Sequence, residues 1–157
     1  MSRNLKQLMG AWAALFLSSS LYAGSAADSV SVEGAFARAV PPGQSNSAAF
    51  MSLTNQGDAD HSLTAVESDA SKVAELHTHL MEEGMMKMRR VEKIDLPAGK
   101  IVKLQPGGLH VMLIDLERPL SAGEDVEISL IFEDGSRSTL KAPVKTVQAE
   151  MGHHNHH

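Results

Sequence analysis

Residues able to hold a soft metal ion recur through the middle of this 157-residue chain at spacings of two. His110 and Met112 interleave with Leu109, Val111 and Leu113, and His77, His79 and Met81 interleave with Leu76, Thr78 and Leu80. In an extended strand, side chains two apart point the same way. Leu109, Val111 and Leu113 are therefore expected to fill a core while His110 and Met112 share the outer face. By the same alternation Ala74, Leu76, Thr78 and Leu80 are expected inward, and Glu75, His77, His79 and Met81 outward. Imidazole and thioether suit Cu(I), whereas hard cations want oxygen. Thioethers also stay ligands at low pH, where imidazole protonates. The chain has no Cys. That excludes a blue-copper centre, which needs a thiolate, and thiol–disulfide exchange.

The elements that must position these groups read as short strands. Val30 to Phe36, Ala49 to Leu53, Leu63 to Glu67, Ala74 to Leu80, Ile101 to Leu104, Leu109 to Leu116, Val126 to Phe132 and Leu140 to Val144 each alternate or run apolar. Turn signals separate them: Pro41-Pro42-Gly43, Asn55-Gln56-Gly57, Pro106-Gly107-Gly108 and Asp134-Gly135. Period-two patterning with frequent turns predicts an all-β, immunoglobulin-like β-sandwich with Greek-key connections. Pro143 predicts that the last strand lies at an edge. Glu82-Glu83-Gly84 interrupts the fourth strand, and a further strand near Met85 makes a hairpin. A turn at Glu82-Glu83 sets His77 directly opposite Met88. A turn at Glu83-Gly84 sets His79 opposite Met88, with His77 diagonal and within reach. Either keeps Met88 on the His77 face, and a three-residue loop would not. One of Met85 and Met86 is expected to face the core. With the strand of His110 and Met112 alongside, two imidazoles and two thioethers converge.

Arg3 and Lys6 precede an uncharged apolar stretch from Leu8 to Leu21, and small residues follow from Ala23 to Ala27. This order reads as a secretory signal peptide over residues 1–27, cleaved after Ala23, Ala26 or Ala27. The apolar part is shorter than the roughly 20 residues of a membrane span. Losing Arg3 and Lys6 with the leader takes the net charge from −5 to −7, which argues against a nucleic-acid partner. Residues 28–147 form one domain, expected as a monomer that is not membrane-embedded. Residues 148–157 read as a flexible tail, in which Met151, His153, His154, His156 and His157 are candidate ligands for Cu(II). His61, after Asp58-Ala59-Asp60, is expected on a surface loop.

The spacing of His77, Met88, His110 and Met112 resembles the H-x10-M-x21-H-x-M motif of the periplasmic CuA chaperone family (PCuAC). Gly84-Met85-Met86-Lys87-Met88-Arg89, Leu96-Pro97-Ala98-Gly99 and Pro106 to Leu113 resemble it too, and the likeness covers residues 29 to 146. The resemblance implies a cupredoxin-like fold, Cu(I) on the four motif residues, a periplasmic location, and delivery to a copper acceptor such as cytochrome c oxidase or another copper chaperone. His79 lies outside the motif, as an auxiliary ligand or a solvated side chain. Two other functions fit the residues: periplasmic copper buffering at the same site, and a metal-free immunoglobulin-like module. No Ser/His/Asp arrangement, phosphate loop or redox Cys suggests an enzyme.

Overall fold

The computed structural model describes residues 24–147. They form a four-residue helical turn, α1 (Ala26–Ser29), and ten strands: β1 (Val30–Arg38), β2 (Asn46–Asn55), β3 (His61–Ser68), β4 (Ser71–Glu82), β5 (Met85–Arg90), β6 (Ile94–Leu96), β7 (Ile101–Leu104), β8 (His110–Leu116), β9 (Asp125–Phe132) and β10 (Arg137–Lys145). Hydrogen bonding runs β5-β4-β8-β2-β1-β10-β9-β3-β6, with β7 also on β2. The β1–β10 pair is parallel and joins two otherwise antiparallel halves into one open sheet. This is the expected all-β fold. Leu53, Leu76, Val111 and Leu113 from one half share a single core with Leu63, Ile128, Leu130 and Phe132 from the other. Each such fully buried side chain contributes about 1.5–3 kcal/mol.

The alternation seen in the sequence is what divides the sheet faces. In β9, Val126, Ile128, Leu130 and Phe132 are buried, while Asp125 and Glu127 are exposed. Buried Asn55 is fully satisfied: its amide donates to the carbonyls of Ala59 and Leu96, and its Oδ1 accepts from the Gly57 amide. That ties β2 to β6.

Two elements differ from expectation. Pro143 does not mark an edge, since β10 lies between β1 and β9. Pairing with β1 begins only at Val144, so the N–H that Pro143 lacks is not demanded there. The packed fold also begins before residue 28. Ser25 caps α1, Ala26 is completely buried, and the Ala26 amide donates to Asp134 Oδ2 at 2.8 Å. No helix among the described residues is long and apolar enough to cross a membrane. The tail candidates Met151, His153, His154, His156 and His157, and residues 1–23 of the leader, lie outside the described residues.

Candidate metal centre

The site forms where the β4–β5 hairpin runs past the end of β8. Glu83 and Gly84 are the two loop residues, with φ of 51° and 77°. Two consecutive positive φ values make the tight hairpin turn whose twist matches that of the strands. The turn fixes the register: His79 pairs with Met88, Met81 with Met86, and His77 with Arg90. Of the two registers open in the sequence, the structure takes the one with His77 diagonal to Met88.

The second register comes from β4 on β8, which pairs His77 with His110 and Glu75 with Met112. From the other side, β2 sets Ala48 against Met112. One sheet face thus carries His77, His79, Met88, His110 and Met112 together. A pocket of about 190 Å³ opens there, its wall including His79, Met88, His110 and Met112, with Phe50 and Arg38 beside them. The His110 ring centroid lies 5.1 Å from that of His79, 5.9 Å from that of His77 and 6.3 Å from that of Phe50.

Outward orientation did not leave His110 wet. It is 2 % exposed, because the neighbouring rings and the Pro106-Gly107 loop cover it. Its Nδ1 lies 2.9 Å from the Gly108 carbonyl, a contact that requires the proton on Nδ1. The lone pair is then on Nε2, which is buried with no partner. Burial pushes the His110 pKa down. The Gly108 carbonyl opposes this, while the nearby His79, His77 and Arg38 reinforce it. The lowering favours the neutral imidazole that a metal requires.

His77 is arranged in the opposite sense. Its Nε2 lies 2.8 Å from Glu75 Oε2, leaving Nδ1 buried and unpartnered. His79 Nδ1 is likewise buried and unpartnered. Three imidazole nitrogens without partners on one face are costly unless something satisfies them. Among the described residues no three His, Asp or Glu side chains converge on one point, so an ion held here would need thioethers as well. The donors fit Cu(I).

Two expectations fail at the hairpin. Leu80 is 46 % exposed rather than inward, and neither Met85 nor Met86 enters the core. Beyond the His77–His110 pair, β4 bonds only to β5, so the hairpin runs past the end of β8 and its apolar side chains stay exposed. Met86 joins Met81 on the donor face instead. Glu75, which alternation placed on that face without a role, proves to be the carboxylate that orients His77. His61 begins β3 and pairs with Glu133, rather than sitting in a loop.

A twisted all-β domain with an imidazole and thioether pocket at one sheet end is built for ligation. The profile of the family described as "Putative lipoprotein LpqE-like" matches residues 30–144, and the chain belongs to that family. It is 35 % identical over 123 residues to "Putative lipoprotein Lxx21020" of Leifsonia xyli subsp. xyli, spanning 78 % of this chain and 73 % of the relative. Among solved structures it is similar to the Cu(I)-bound DR1885 protein of Deinococcus radiodurans, at 38 % identity and TM-score 0.60, covering 72 % of this chain and 76 % of that one. It is also similar to the copper-bound PCuAC domain of PmoF2, at 26 % identity and TM-score 0.66, covering 78 % and 97 %. These likenesses make it a PCuAC-family domain, as its motif spacing implied.

Proposed function

We propose that this protein is a periplasmic copper chaperone that holds Cu(I) with His77, Met88, His110 and Met112 and passes it to an acceptor such as a cytochrome c oxidase copper centre. The observation that carries this reading is the buried, partnerless Nε2 of His110, facing a pocket walled by Met88 and Met112. The copper-bound state of two similar structures supports it. Glu75 and the Gly108 carbonyl fix which nitrogen of His77 and His110 offers its lone pair. With no thiolate in the set, the site binds by neutral donors that a partner's Cys or His can replace one at a time. Met88 is 41 % exposed, which makes it the first donor an acceptor reaches. The tail, through Met151, His153, His154, His156 and His157, supplies a less selective site for Cu(II).

Export follows from the leader, and cleavage is expected after Ala23. Cutting after Ala26 or Ala27 would remove a completely buried residue and the helix cap at Ser25. Edman sequencing of the exported protein should begin at Gly24, and a start at Ala27 or Asp28 would refute this. The delivery role is tested in a deletion strain. Loss of oxidase copper that added copper restores, and that a His110→Ala/Met112→Ala copy does not, supports delivery. Copper sensitivity with normal oxidase assembly would make the protein a buffer.

A further inference from the structure

The exposed methionines among the described residues, Met81, Met85, Met86 and Met88, all lie on the β4–β5 hairpin. A methionine used as packing material is buried, as Met51 is in β2. The register divides the hairpin into two unlike faces. One carries the ion pairs of Glu82 with Arg89, at 2.7 Å, and with Lys87, at 3.4 Å. The other carries only neutral donors from the tip down to Arg90: Met81 pairs with Met86, then His79 with Met88, then His77 with Arg90. Side chains directly opposite across an antiparallel pair have Cβ atoms about 4.5–5.5 Å apart, so one ion can meet the thioethers of Met81 and Met86 together. Their rung lies about 7 Å along the strands from that of Met88. The pocket wall includes His79 and Met88 but neither Met81 nor Met86, which stand in solvent at 67 % and 56 % exposure.

We propose that Met81 and Met86 form an outer Cu(I) site, a landing from which the ion passes by way of Met88 into the pocket and through which it leaves. This rests on the copper reading above and extends it, with His77, Met88, His110 and Met112 still the ligands of the folded site. Two exposed thioethers are soft, neutral donors that suit Cu(I) and leave the rest of its coordination sphere open to a carrier in solution. The transfer is ligand exchange alone. The copper–sulfur bonds to Met81 and Met86 break as the bond to Met88 forms, followed by those to His110 Nε2, Met112 and His77 Nδ1. Copper remains Cu(I) throughout. No proton moves, because the protons of His110 and His77 sit on the nitrogens bonded to Gly108 and Glu75, and the donating nitrogens are the other two.

The test uses the full chain and a Met81→Leu/Met86→Leu variant. Leucine keeps the volume and apolar surface of methionine and removes only the sulfur. Methionine methyl resonances are followed as Cu(I) is added anaerobically. The first equivalent should shift Met88 and Met112. Further Cu(I) should shift Met81 and Met86 together, and in Met81→Leu the Met86 methyl should stay still. Loading from a chromogenic Cu(I) chelator, and release to it, should both be severalfold slower in the double variant, since a landing speeds passage in either direction. If Met151 alone moves after the first equivalent, the hairpin holds no outer site and the folded site stands. A double variant that loads as fast as wild type also overturns the proposal, and slow loading of Met81→Ser/Met86→Ser would then show that the face works by its apolar surface. If Met88 and Met112 do not shift with the first equivalent, the copper reading fails and this proposal with it.

Discussion

Glu75 should behave as a positioning residue for copper, and removing it gives a worked prediction. Its carboxylate accepts the Nε2 proton of His77 at 2.8 Å, with both side chains mostly buried at 15 % and 23 % exposure. A hydrogen bond to a charged group contributes about 1.5–3 kcal/mol. Loss of a carboxylate behind a ligating histidine costs roughly 10–100-fold in metal affinity, or about 1.4–2.7 kcal/mol. The two routes agree, so Glu75→Ala should weaken Cu(I) binding by one to two orders of magnitude in anaerobic competition with a chromogenic chelator. Glu75→Gln keeps an acceptor oxygen and should lose less than about tenfold. The Arg90 guanidinium also approaches Glu75, at 3.7 Å, but is 69 % exposed. Arg90→Ala should therefore change affinity by less than about 1 kcal/mol. If Glu75→Ala binds Cu(I) as tightly as wild type, with an unchanged melting temperature, orientation of His77 is not what the carboxylate does.

Gly84 occupies φ 77° in open space, so an added Cβ meets nothing and the cost is backbone strain alone. Gly84→Ala should cost about 1–2 kcal/mol, read as roughly 5- to 30-fold faster amide exchange in Met85–Arg90, with Val111 and Leu113 unaffected; a uniform change across the sheet would refute a local hairpin role. Asp134 is held at a pKa of about 2, first by the Ala26 amide and then by the Ser136 hydroxyl and amide. Its folded value lies below the ordinary 3.8, so it stabilises the fold above that value and loses its contribution as pH falls toward 2. Thermal melts of Asp134→Asn should thus lose less stability than wild type over that window, and parallel curves would contradict the assignment.

Much of this was legible because strand alternation is a two-way choice that each apolar residue constrains. Val111 and Leu113 fix the face of His110 and Met112, and Val126 to Phe132 declare β9 outright. Other features rested on information that alternation does not carry. The choice between His77 and His79 opposite Met88 depended on one residue of turn position, settled by Glu83 and Gly84 both taking positive φ. The burial of His110 depended on rings from β2 and β4, distant in sequence. Leu80, Met85 and Met86 misled because alternation predicts a face but cannot say how far a hairpin runs beyond its neighbouring strand. The three residues of β6 were too short to show a period, and α1 begins in the small residues read as the end of the expected leader.

The most direct test of the central claim is Cu(I) affinity of the full chain, with and without Met88→Ala/Met112→Ala, in anaerobic chelator competition. The account predicts one tight equivalent in the wild type that the double variant loses or binds far more weakly, leaving only the tail. Equal affinity in both would contradict it, since the partnerless imidazoles would then have no thioethers to complete their site.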